Sequence, residues 1–303
     1  MASSATDKAR DRAHLDKSTK KDAKTGSYSS PPWTFTGKAL YQLSLVRVKD
    51  ARKYVPESIP LVNIFGYTLG GFYLARYDGS PAGQFDELVA LAGLAWNFPT
   101  SCAWAARVYV NNDEAKRHGL DVVGLPSRGA RFTRGELSAS SDNRQRQSQP
   151  KKQDQQQMKD WWGLVGPRES STVHIFNSDV RTKSKRPVCS IDMSSTVERA
   201  VRSPPFMPKI QMFLPSFSGA TARCPDILKY SLRLSTSVRF LKPMRVTPGA
   251  DERDDDTRNA GDIEAFVGRH VLCGRPLVCM SFENMKMEVQ APEVFEPSKG
   301  KRT

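Results

Sequence analysis

The feature that most constrains this chain is a strict two-residue alternation from Leu228 to Phe240. Leu228, Tyr230, Leu232, Leu234, Val238 and Phe240 fall on one face, and Lys229, Ser231, Arg233, Ser235 and Arg239 on the other. Successive side chains of a strand point to opposite faces, so the pattern predicts a half-buried strand in antiparallel pairing with one wet face. The same period recurs from Ala39 to Val48. From Gly66 to Tyr77 it puts Tyr67, Leu69, Gly71, Tyr73 and Ala75 opposite Thr68, Gly70, Phe72, Leu74 and Arg76. The paired Gly70 and Gly71 predict a bulge or a close backbone approach. FDELVALAGLAWN, nearly all apolar beyond Glu87, reads as a strand buried on both faces. Cys102 to Val110 places Trp104, Ala106 and Val108 together, and from Pro276 to Val289 the apolar positions change from even to odd near Asn284, which predicts a one-residue bulge or a turn there. These runs make a mostly β chain.

Helical signals are short. Asp50 stands where an N-cap would precede ARKYV, and Pro56 stops that turn. Asn112 is placed to cap a helix that carries Asp113 and Glu114 in its first turn and ends at Gly119.

Hydrophobic residues make up 38% of the 303, which leaves part of the length outside any core. Residues 1 to 30 are rich in Ser, Lys and Asp, and residues 134 to 160 carry a run of glutamines without apolar periodicity. Such segments bury too little apolar surface to offset their ordering entropy, so both read as disordered. The net charge of +14 is spread over every segment, which speaks for solubility and weak attraction to anionic surfaces and against specific nucleic-acid readout. Five cysteines, an odd number without a C-x-x-C pair, fit a reducing compartment. The four histidines have no zinc-like spacing, and no cofactor motif occurs. No apolar run approaches the roughly 20 residues of a membrane span, and no secretory signal is present. MASSA at the start hints at a plastid transit peptide, but four aspartates within the first 26 residues argue for a flexible tail, and plastid and cytosol both stay open.

The segment from Asn112 to Phe132, NDEAKRHGLDVVGLPSRGARF, combines the capped helix with Gly124, Leu125 and Pro126, followed by Ser127 and Arg128. With YQLSLVRVKDARKYVPESIPLV, GYTLGGFYLARYD, PTSCAWAARVYVN and LPSFSG, it resembles the acetoacetate decarboxylase family. The likeness is dense over residues 31 to 132 and looser over 204 to 298. It implies one domain over 31 to 298, a curved antiparallel sheet or barrel enclosing a pocket, with few short helices. In that family two lysines follow the G-x-P. Here Ser127 and Arg128 stand in their places, and neither supplies an unprotonated amine for a Schiff base.

Phe85-Asp86-Glu87-Leu88 matches a family turn that carries a glutamate into the pocket, so the resemblance makes Glu87 the leading site residue. If Arg128 faces the same cavity, it would pair with Glu87 or join it in holding a polar ligand, with Ser127 adding a hydroxyl. Trp104, Phe72 and Tyr67 read first as core residues and second as the lining of an apolar ligand site. Lys116, in the polar run DEAKRHG, reads as solvated. Within the family the chain looks like a plant branch needed for accumulation of the carotenoid neoxanthin. That implies a non-decarboxylating protein that binds an apolar or isoprenoid-derived ligand or assists a carotenoid-pathway enzyme. Two rivals are a lyase or isomerase using Glu87 as acid or base, and an interaction scaffold with a closed pocket. A mostly apolar open cavity of a few hundred Å³ would favour the binder, and convergence of Glu87 with Arg128 the enzyme. Oligomeric state is not legible.

Overall fold

The computed structural model describes residues 28–97, 100–135, 172–179, 186–194, 207–249 and 266–296. Of the two segments that read as disordered, 1 to 30 and 134 to 160, residues 1–27 and 136–160 lie outside them, as does the charged run at 250 to 262. Residues 28–30 correct the first expectation: Tyr28 stacks on His118 and the Ser29 carbonyl accepts from the Trp33 indole at 2.7 Å.

The long alternating segments form the strands β1 (Trp33–Arg47), β2 (Tyr67–Gly79), β3 (Phe85–Asn97), β4 (Thr100–Val110), β8 (Lys209–Gly219), β9 (Ile227–Leu241) and β11 (Arg275–Val289). β1 pairs antiparallel with β2 and β11, β2 with β3, β3 with β4, β9 with β11 and β8, and β4 meets β8 in parallel at Ala103–Ser216 and Trp104–Phe217. That last contact closes a seven-stranded barrel. Outside it, β5 (Ser127–Arg134) runs parallel to β4 and carries β6 (Thr172–Asn177), β7 (Cys189–Asp192) and β10 (Arg245–Pro248) as a lateral extension, while β12 (Glu293–Val294) pairs with β9. Helices α1 (Val48–Ala51) and α2 (Asp113–Asp121) and a π-helical turn (Val267–Leu272) complete the fold.

The barrel wall is apolar on both sides because both sides are covered. Phe35, Ala75, Tyr77, Phe85, Val108, Val110, Leu234 and Phe282 pack inside it. Phe72, Leu74, Ala92 and Trp104 form a second core with Val55 and Ile59 beyond α1, and with Val267 and Val271 of the π-helical turn. This double burial is why β3 shows no polar row.

Gly70 and Gly71 make a close approach: a methyl on Gly70 would collide with the carbonyl of Leu91, and one on Gly71, whose φ is 122°, with that of Gln42. The parity change near Asn284 is a bulge, with φ 50° at Asn284 and a register shift between Glu283 and Lys286. Several boundaries differ from expectation. β4 carries a register shift opposite Ala90 and Leu91, so Val108 turns inward and does not share the face of Trp104 and Ala106. α2 runs on through Gly119 to Asp121, and Asp50 lies buried within α1 rather than capping it. Phe240 continues the parity of Leu234 and Val238 but is 60% exposed. Arg134 pairs with Val173 in β5, so the polar insertion starts later than its composition indicates.

Candidate functional site

The barrel encloses a cavity of about 310 Å³. Its walls are mostly apolar, with Leu91 and Leu94 of β3, Leu232 and Leu234 of β9, and Met280 and Met287 of β11 among them. Polar groups enter from Glu87 of β3, Tyr73 and Tyr77 of β2, Ser127 of β5, His118 of α2 and Tyr28.

Glu87 reaches the interior because it pairs with Ala75 across the β2–β3 ladder, and residues two away on β2 share the face of that pair. The Tyr77 hydroxyl donates to Glu87 Oε2 at 2.8 Å, and it lies 3.5 Å from the Tyr73 hydroxyl. Burial pushes the Glu87 carboxyl up to about 7, and the Tyr77 hydrogen bond only partly opposes that. Burial raises the phenols of Tyr28, Tyr73, Tyr77 and Tyr230 as well, and the charge of Glu87 adds to each. Among the described residues no Lys or Arg lines this cavity. Glu87 is therefore a carboxyl poised between donor and acceptor near neutral pH, amid hydroxyls rather than cations.

α2 closes one side. Asn112 caps it, its side chain accepting from the Ala115 amide at 2.9 Å, which fixes the turn that aims His118 inward. The imidazole is stacked on Tyr28 at 3.7 Å between centroids and meets Trp33 edge-on at 4.4 Å. Burial lowers it to about 4, against the pull of Glu114, so it is neutral at ordinary pH. Its buried Nε2 has no hydrogen-bond partner among the described residues. A ligand hydroxyl or carbonyl would meet that need.

Three comparisons place this architecture. Proteins called Protein NEOXANTHIN-DEFICIENT 1 are 39% identical in Solanum lycopersicum over 284 residues, 88% of this chain and 92% of the relative. The protein of that name in Arabidopsis thaliana is 38% identical over 284 residues, 91% of this chain and 97% of its own. The chain belongs to the NEOXANTHIN-DEFICIENT 1 family. No family model matches it. Acetoacetate decarboxylase from Legionella pneumophila superposes with a TM-score of 0.52 at 10% identity, covering 94% of this chain and 96% of that one. A second acetoacetate decarboxylase gives 0.53 at 9% identity, covering 94% and 99%. At such identities the likeness establishes the fold alone: this chain has an acetoacetate decarboxylase-like fold.

In this member of the NEOXANTHIN-DEFICIENT 1 family the expected site residues divide. Glu87 and Ser127 face the cavity, and Ser127 is buried. Arg128 does not line it. As the next residue of β5 it points to the opposite face, where its charge joins the Gly129 amide and Lys116 in holding the Asp179 carboxyl below its usual range, against the effect of burial. Convergence of Glu87 with Arg128 is thereby corrected. Phe72 and Trp104 are fully buried on the outside of the barrel, and Tyr67 is 38% exposed at the start of β2, so none of the three lines the cavity. Lys116 forms an ion pair with Asp179 at 3.0 Å and is likewise outside it. Tyr73, Tyr77, His118 and Tyr28 were missed. Once Glu87 is placed inside, β2–β3 pairing alone puts Tyr73 and Tyr77 beside it. Nothing in GSYSS marks Tyr28.

Proposed function

We propose that this protein supports accumulation of the xanthophyll neoxanthin by holding the end group of an isoprenoid-derived ligand in its barrel, without Schiff-base chemistry. The observation that carries this reading is a mostly apolar cavity in which Tyr77 is hydrogen-bonded to Glu87 and which no lysine lines among the described residues. A cavity of about 150 Å³ holds a benzene molecule, so the 310 Å³ here accommodates about two such rings. A whole carotenoid exceeds that volume, whereas its terminal ring does not. A ring oxygen placed among Tyr77, Glu87 and His118 Nε2 would find donors and acceptors together, and the leucine and methionine walls match the hydrocarbon. The names of the relatives supply the connection to neoxanthin. Ser127 takes no part as an amine. A scaffold with a closed pocket is disfavoured by the cavity itself.

One observation favours a second reading, an isomerase or lyase. Glu87, buried and held near pH 7 beside Tyr77, suits general acid–base work on a bound oxygen.

Expression of this chain in a tomato line lacking its own relative tests the proposal. Neoxanthin returns with the unmodified chain and fails to return with Ala103→Phe, which fills the cavity from β4. Native mass spectrometry after exposure to a plastid lipid extract then shows what stays bound. Full rescue by a Glu87→Gln variant excludes the acid–base reading while leaving the binder intact.

A further inference from the structure

Beside the cavity wall the chain builds an apolar crown that no described residue covers. Residues 60–62 run antiparallel along the end of β3, with the Trp96 amide donating to the Pro60 carbonyl at 2.7 Å and the Val62 amide to that of Leu94 at 2.9 Å. The chain then reverses in a tight turn closed by reciprocal hydrogen bonds between Ile64 and Tyr67, of 2.8 and 3.0 Å. Phe65 and Gly66 take φ of 50° and 82°, the positive pair that a type I′ hairpin turn needs. Asn63 Oδ1 accepts from the Gly66 amide, and the Gly66 carbonyl accepts from the Val48 amide, so the turn is pinned to the end of β1.

What it presents is unlike an ordinary turn. Ile64 is 63% exposed and Phe65 98%, and Trp96, on the end of β3 that pairs with residues 60–62, is 50% exposed. Folding favours Asn or Gly at a left-handed position, and water favours a polar side chain there. Phe65 satisfies neither, so its benefit lies outside the chain. Around the crown stands a cationic collar. Arg47 pairs in register with Tyr67, Lys49 is exposed on α1, and exposed Arg275 pairs with Leu45 of β1, while Lys53 is engaged over the Phe266 ring at 3.6 Å. The nearby carboxylates do not cancel it: Asp50 is turned inward, 3.7 Å from His270 Nδ1, and Glu57 is the exposed acid of that loop.

We infer that this crown docks the protein on an anionic lipid bilayer, with Ile64, Phe65 and Trp96 entering the interface and Arg47, Lys49 and Arg275 meeting phosphate headgroups. A handful of side chains on a projecting turn covers far less than the roughly 800 Å² per partner that a stable protein interface buries. The same side chains suffice for a bilayer, where aromatic and aliphatic groups partition into the headgroup boundary and each nearby cation adds to the attraction. Trp96 is the register partner of Ser101, and Ser101 and Leu94 line the cavity, so docking sets the cavity wall next to the membrane. The docking itself does not depend on what the cavity holds.

Co-sedimentation of the full chain with vesicles tests this, using phosphatidylcholine alone and phosphatidylcholine mixed with phosphatidylglycerol at roughly two to one. The protein pellets with the mixed vesicles and scarcely with the neutral ones. Phe65→Asn suits the left-handed position and removes no packed side chain, so it leaves the melting temperature unchanged while weakening vesicle binding about tenfold. Arg47→Glu weakens it about fivefold or more at low salt and less at high salt. Failure to pellet with either vesicle overturns the proposal and leaves the crown to a protein partner. Unchanged binding by Phe65→Asn overturns it as well, since that outcome reduces the effect to adsorption by the net charge of +14.

Discussion

The Tyr77 hydroxyl donates a 2.8 Å hydrogen bond to Glu87 Oε2 across the β2–β3 ladder, joining two side chains that would each be costly to bury alone. The pair anchors the polar end of the cavity. Tyr73 extends it at 3.5 Å, and the Tyr73 hydroxyl in turn lies 3.2 Å from the sulfur of Met285.

Glu87 makes stability depend on pH. Its carboxyl titrates at about 7 in the native state against 4.5 in the unfolded chain, so between those values the native state holds a proton that the unfolded chain has released. The contribution of this residue to stability accordingly falls as pH rises from 4.5 to about 7, and is level above that. Glu87→Gln cannot ionise and escapes the loss. By urea denaturation it is more stable than the parent by roughly 3 kcal/mol at pH 8, at ~1.4 kcal/mol per pH unit, and nearly equal to it at pH 4.5. A parent that gains on the variant as pH rises would mean that Glu87 is ionised and paired with a cation.

Treatment with acetoacetate and borohydride leaves the mass of the protein unchanged, because among the described residues no amine lines the cavity and Lys116 is committed to Asp179. Ser127→Lys puts an amine at a buried inward position, where desolvation lowers its pKa, and yields weak trapping. Arg128 gives no assistance, being on the other face of β5. Stoichiometric trapping on the unmodified chain, read by peptide mapping, would contradict the departure from lysine chemistry.

Gly71→Ala destabilises by about 3 kcal/mol or more, since φ is 122° and the added methyl strikes the Gln42 carbonyl across the β1–β2 ladder. Thermal unfolding monitored by circular dichroism reads the change. A variant within 1 °C of the parent would show that β1 and β2 do not approach so closely.

Much of the barrel is legible in the sequence because alternation and parity are local. The period of Leu228 to Phe240 gives β9, and one odd step at Asn284 gives the β11 bulge. Alternation says which residues share a face, but not which face is the interior. Phe72 and Trp104 are as apolar as any cavity lining, yet they lie under α1 and the π-helical turn, whose packing depends on residues far away in sequence. Ser127 and Arg128 are neighbours on a strand, so they cannot both point inward, and parity alone excludes their convergence. His118 and Tyr28 became visible only when α2 met the chain ahead of β1, a contact with no local signature. Short strands such as β7 and β10 carry too few residues for a period to show.

The central claim is that the barrel cavity holds the end group of an isoprenoid ligand. Titration of neoxanthin followed by quenching of tryptophan fluorescence tests it most directly, because Trp33 lines that cavity. The account predicts saturable quenching at a one-to-one ratio, abolished by Ala103→Phe in a variant that retains the parent's near-ultraviolet circular dichroism. No saturable quenching, or equal quenching by the folded Ala103→Phe variant, would contradict it.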